Sequence, residues 1–167
     1  MKTTNDTPRV YVACLACYNE GTLNGEWRDA DDADAIRTFI TDMQAKCGHV
    51  DNDWAIHDYD GLPSSLGENP DLDKLQEMAK AIEEHGPAFV AYMGNVGSEY
   101  ATVAGFEESY CGQYDSEKDY AYEYIDSTGM LDGVSASLTN YFDYAAFSRD
   151  LFMDGYSFID GYVFRDC

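Results

Sequence analysis

Thirty-two Asp and Glu face ten Lys and Arg in this 167-residue chain, a formal net charge of −22 that any fold must spread over its surface. Self-repulsion of that size weakens a compact state, so a folded product needs a substantial apolar interior to offset it. That interior is available. Hydrophobic residues make up 45% of the chain and aromatics 14%, whereas acidic disordered segments are poor in aromatics. Acids outnumber bases throughout, 12 to 5 over residues 1–60, 7 to 2 over 61–105 and 13 to 3 over 106–167. No detachable acidic tail carries the charge, so the folded surface itself is negative. Such a surface repels nucleic acid and anionic membrane and steers toward basic proteins. DNA-binding proteins are the obvious such class. Duplex DNA carries a charge every ~1.7 Å of axis, so 22 uncompensated charges laid in a line match about 37 Å of duplex.

Residues 1–8 lack the apolar stretch of a signal peptide, and no run approaches the roughly 18 apolar residues of a membrane span, which predicts a cytoplasmic protein. Five cysteines, an odd number without secretory context, predict reduced thiols.

The composition divides the chain into three small domains of an α+β protein. An N-terminal α+β domain is expected over 1–61. Arg9-Val10-Tyr11-Val12-Ala13-Cys14-Leu15-Ala16-Cys17 reads as a strand, and turn residues lead to a second strand at Glu26-Trp27-Arg28. A helix over 31–47 places Ala35, Ile36, Phe39, Ile40 and Met43 at helical spacing behind an acidic first turn, and Trp54 to Tyr59 form a third strand. A helical middle domain is expected over 62–105. Asn69 is its N-cap with Pro70 at the first helical position, Leu72, Leu75, Met78, Ala79 and Ile82 make one stripe, and short helices follow over 88–96 and 100–106. A C-terminal α+β domain over 106–167 opens on a strand at 106–114 and a helix over 115–127. Antiparallel sheets are expected in both α+β domains.

The sharpest electrostatic signal lies in that last helix. Asp115, Asp119 and Glu123 follow i, i+4, i+8 along about 12 Å of one face. Like charges at this spacing destabilise a helix by a few tenths of a kcal/mol per pair, and Lys118 is the one basic residue nearby. A phosphate-like array needs a second acidic row, for which Glu117, Asp126, Asp132, Asp143, Asp150 and Asp154 are candidates, with Asp29, Asp31, Asp32 and Asp34 near the N-terminus. A helix face kept charged for solubility is the competing reading.

Motifs that tempt toward an enzyme carry less. Cys14 and Cys17 form a CxxC, with Cys47 and His49 further on, but residues three apart on a strand point to opposite faces. Buried structural thiols are therefore expected and no metal or cofactor is assigned. The aspartates Asp29, Asp31, Asp32 and Asp34 lack the glycine and the late glutamate of a calcium loop. His57 beside Asp58 would face opposite ways on a strand, and the sequence contains no Walker loop, dinucleotide fingerprint or nucleophile elbow.

Three stretches carry a family resemblance. Tyr18-Asn19-Glu20-Gly21-Thr22-Leu23-Asn24-Gly25-Glu26-Trp27, then Ala55-Ile56-His57-Asp58-Tyr59, then Ala136-Ser137-Leu138-Thr139-Asn140-Tyr141-Phe142-Asp143-Tyr144 with Arg149-Asp150-Leu151, together resemble the ArdA antirestriction proteins from about Val10 to Tyr162. Ser148 departs from the glycine expected before the Arg-Asp pair. The resemblance implies a DNA mimic from conjugative plasmids and transposons, not an enzyme. Such a protein occupies the DNA groove formed by the specificity and modification subunits of type I restriction-modification enzymes. It also implies an elongated chain of three small domains paired into a homodimer, with Leu138, Tyr141, Tyr144 and Phe147 in the antirestriction motif near the dimer interface. Those aromatics read equally as core. A different basic partner and a hydrolase built on a carboxylate pair are the remaining alternatives.

Overall fold

The computed structural model describes residues 7–49 and 53–167. The chain is α+β, and it separates into two compact units, Met1–Thr102 and Val103–Cys167. The division lies three residues before the expected boundary at 105. The expected signal-free N-terminus lies largely outside the described residues.

In the first unit, strands β1 (Arg9–Cys14), β2 (Gly25–Asp29) and β3 (Trp54–Asp60) form an antiparallel sheet in the order β2-β1-β3. Val10, Val12, Ala13 and Cys14 of the central strand are fully buried. Helix α2 (Ala33–Cys47) buries Ala33, Ile36, Ile40 and Met43 at helical spacing, as the sequence predicts. Asp32 caps it by accepting from the Ala35 amide at 2.9 Å, and Gly48 closes it in the left-handed region at φ 74°. Helices α3 (Leu72–His85) and α4 (Pro87–Val96) complete the unit. The Ala33 amide donates to Gln76 Oε1 at 2.8 Å, and Arg37 bridges Asp34 and Asp73, which ties α2 to α3.

Several expectations need correction here. The expected strand over 9–17 ends at Cys14, and residues Leu15–Asn19 form a short helix, α1. The Cys17 amide donates to Cys14 Sγ at 3.5 Å, so the two cysteines share one side of a turn. Asp71, not Asn69, caps α3, accepting from the amides of Asp73 and Lys74. A register shift in the β1–β3 ladder between Tyr11 and Val12 skips His57, and both His57 and Asp58 are exposed instead of alternating.

The second unit begins with α5 (Val103–Ser109), which continues past Phe106 and leaves only Tyr110–Gln113 for strand β4. The helix expected over 100–106 and the strand expected over 106–114 are shifted accordingly. Helix α6 covers Glu117–Thr128, followed by α7 (Ala136–Thr139), α8 (Tyr144–Met153), β5 (Tyr156–Ile159) and β6 (Tyr162–Arg165). The sheet is antiparallel in the order β4-β6-β5. Asp160 at φ 51° and Gly161 at φ 87° turn the β5–β6 hairpin, an Asp-Gly pair suited to two successive left-handed positions. The core is aromatic. Tyr120 packs against Tyr114, Phe152 and Tyr156, and Phe164 is fully buried beside Phe106. Burial pushes the Tyr120 hydroxyl far above its ordinary pKa, with Cys111 adding to the shift.

Candidate functional site

Helix α6 starts two residues later than the charge pattern suggests. Ser116 Oγ accepts from the Asp119 amide at 3.1 Å and donates to Asp119 Oδ2 at 2.7 Å, a reciprocal cap that places Glu117 first in the helix. Asp115 therefore precedes the cap, and the expected i, i+4, i+8 row loses its first member. A different row replaces it. Tyr120, Ala121 and Ile125 turn inward, and Asp119, Glu123 and Asp126 occupy the exposed face at i, i+4, i+7, spanning about 10 Å of axis.

A fourth carboxylate joins from the following turn. Gly129 ends α6 at φ 63°, and a Cβ there would lie 2.6 Å from Asp132 Oδ2. Only glycine supplies both the left-handed conformation and the room. Asp119, Glu123, Asp126 and Asp132 line one open groove of about 560 Å³, together with Tyr122 and Tyr144, whose rings stack at 4.5 Å. Among the described residues no ion pair reaches any of the four. Lys118 lies 5.7 Å over the Tyr122 ring.

The placement works against the helix. Glu117 and Asp119 complement the positive N-terminal end, but Asp126 sits in the last turn, which holds no basic residue. A misplaced exposed charge there costs about 0.3–1 kcal/mol, and each like-charge neighbour adds a few tenths. Chemically, the groove presents negative charge with rings beside it. Its lining contains no histidine, cysteine, serine or lysine, so no nucleophile stands beside a base.

The other acids are dispersed. Asp29 ends β2, Asp31 is half-buried, Asp32 caps α2 and Asp34 pairs with Arg37 at 3.0 Å. In the second unit Asp143 caps α8 by accepting from the Ala146 amide at 3.0 Å, Asp150 contacts its neighbour Arg149 at 3.3 Å, and Asp154 stands exposed at the C-cap. The aromatic motif divides between surface and packing. Leu138 and Tyr141 are 64% and 86% exposed, whereas Tyr144 and Phe147 are half-buried and pack with Phe142. The sequence analysis did not single out the Ser-x-x-Asp cap at Ser116 or the glycine that admits Asp132, although both residues were visible.

A family model described as antirestriction protein (ArdA) matches residues 10–164, nearly the whole chain. The chain belongs to the ArdA antirestriction family. Comparison with curated proteins returned no match. Membership implies an antirestriction function, with restriction enzymes as the partners and inhibition as the activity. Among the described residues no helix is long and apolar enough to cross a membrane.

Proposed function

We propose that this chain is a DNA mimic that inhibits type I restriction-modification enzymes by competitive occupancy of their DNA groove. Its carboxylates stand in for phosphates against Lys and Arg of the specificity and modification subunits. The observation that carries this reading is the acidic face of α6 with Asp132, four exposed carboxylates converging without basic neighbours, at a cost to the helix that bears them. Phosphates carry no sequence information, so such a mimic binds independently of the target's recognition sequence. A preorganised array also avoids the deformation that bent DNA must undergo.

In this reading the protein acts in the bacterial cytoplasm as a homodimer, protects incoming DNA of a conjugative element and catalyses no reaction. Exposed Leu138 and Tyr141 supply the dimer contact, while Tyr144 and Phe147 support the groove from behind. The three-domain division at 61 and 105 is retained within the proposal as three surfaces, each acidic. The direct test is displacement of a labelled duplex from a purified type I methyltransferase core at two salt concentrations. Release near stoichiometry, weaker at higher salt, is the expected result. No release at large excess would remove the mechanism and favour another basic partner.

A further inference from the structure

We propose that Cys14, Cys17, Cys47 and His49 bind one zinc ion in a closed, four-coordinate structural site within the first unit. The four ligand atoms lie within 4.8 Å of one another. Cys14 Sγ and Cys17 Sγ stand 3.5 and 3.6 Å from His49 Nδ1. With Zn–S of about 2.3 Å and Zn–N of about 2.0–2.1 Å, a tetrahedral site requires sulfur–nitrogen edges of about 3.6 Å. The observed separations already match that edge.

Local structure explains why residues so distant in sequence meet. Cys14 ends the central strand, and the α1 turn brings Cys17 back over it. Cys47 is the last residue of α2, and Gly48 in the left-handed region turns the chain so that the His49 amide donates to Gln44 O at 3.1 Å. Gly25 permits the close approach of β2 to β1, since a Cβ there would lie 2.4 Å from Val12 O. That approach carries Asn24 to the cluster, where its Nδ2 donates to Cys47 Sγ at 2.6 Å and to Cys17 Sγ at 3.9 Å.

The surroundings are those of a metal centre. His49 directs Nδ1 at the sulfurs and Nε2 at Glu20 Oε1, 3.6 Å away, the arrangement in which a carboxylate orients a metal-bound imidazole. Cys14 and Cys17 are buried, and Met43, Phe39 and Trp54 pack around them. A disulfide would use two of the three sulfurs and leave the third thiol and the imidazole without a role; one zinc ion uses all four groups. No fifth ligating side chain belongs to the group, which fits a structural site better than a catalytic one. On binding, the three thiols release their protons to solvent and coordinate as thiolates, so the bound state is favoured as pH rises. The ion joins the ends of β1 and α2, and its binding energy becomes folding energy of this unit. The inference is independent of the partner that the acidic surface recognises.

Titration of the reduced, metal-free full-length chain with cobalt(II) chloride tests it. The expected result is saturation at one equivalent, with the strong visible bands of tetrahedral thiolate-bound cobalt, which vanish when one equivalent of zinc chloride is added. Zinc should also protect three of the five thiols from alkylation and raise the melting temperature. Cys111→Ser and Cys167→Ser leave all of this unchanged. Cys17→Ser loses the bands. Glu20→Gln, at an exposed position, keeps the stoichiometry and the tetrahedral spectrum but weakens binding about 10- to 100-fold. Weak octahedral bands, binding that survives Cys17→Ser in a variant with native circular dichroism, or a disulfide among the three cysteines in protein purified under reducing conditions would overturn the assignment.

Discussion

The two units carry similar acidity and use it differently. In the first, aspartates hold structure: Asp32 and Asp71 cap helices, Asp34 and Asp73 share Arg37, and Asp60 pairs with Arg9. In the second, the acids of the α6 groove have no ion-pair partner among the described residues, and Asp126 opposes the dipole of its own helix. A charge that stabilises its scaffold needs no partner to account for it. A charge that destabilises its scaffold points outward to something that compensates it, and in a chain of the antirestriction family that something is the basic DNA groove of a restriction enzyme.

Core substitutions set the upper scale for this comparison. Ile36 is fully buried on α2, and Ile36→Ala should cost about 2–5 kcal/mol in denaturant unfolding of the first unit. Cap removal comes next. Asp32→Ala and Ser116→Ala should each cost about 1 kcal/mol, read as lower melting temperatures, because both side chains satisfy an amide of the first turn. An Asp32→Ala variant that melts like wild type would show that acids of the first unit are not structural, and the contrast between units would fail.

Smaller effects sharpen the contrast. Changing Asp119, Glu123 and Asp126 together to Asn, Gln and Asn should leave the second unit as stable or more stable, by a few tenths of a kcal/mol per relieved repulsion. Asp119 also accepts from Ser116, so Glu123→Gln with Asp126→Asn is the cleaner stability measurement. Tyr141→Asp tests the proposed dimer contact; sedimentation should show a monomer with unchanged circular dichroism.

The smallest expected effect concerns pH. Backbone amides of Lys74 and Asp73 hold the Asp71 carboxyl below its ordinary value. A depressed folded-state pKa contributes stability that is complete above the unfolded value of about 3.9 and is lost as pH falls through the folded value. Asp71→Asn should therefore match wild type near neutrality and lose less stability on acidification, as followed by thermal melts across that range.

Periodicity revealed what was local. The stripe of α2, the stripe of α3 and the strands at Trp27 and Trp54 follow from apolar spacing and turn residues a few positions apart. Ends of elements were harder. Leu15, Ala16 and Cys17 contain no breaker, and the chain leaves β1 because Cys14 Sγ and the neighbouring loops hold a turn there. That single misreading separated Cys14 from Cys17 and hid the cluster, which also needs Cys47 and His49 to arrive from the far end of α2. The acidic row was legible as composition but not in register. Ser116 decides where α6 begins, and Gly129 admits Asp132 from outside the helix.

The most direct measurement pairs displacement with stability in one variant set: wild type, the Asp119→Asn/Glu123→Gln/Asp126→Asn variant and a first-unit Asp34→Asn control. Each would compete with labelled duplex for a type I methyltransferase core at two salt concentrations, with melting temperatures recorded in parallel. The account predicts that the α6 variant melts no lower than wild type, displaces duplex at least about tenfold less well, and shows a shallower salt dependence because fewer charges are exchanged. Asp34→Asn should lose little displacement. Unchanged displacement by the α6 variant would contradict the account and remove this helix from the binding surface.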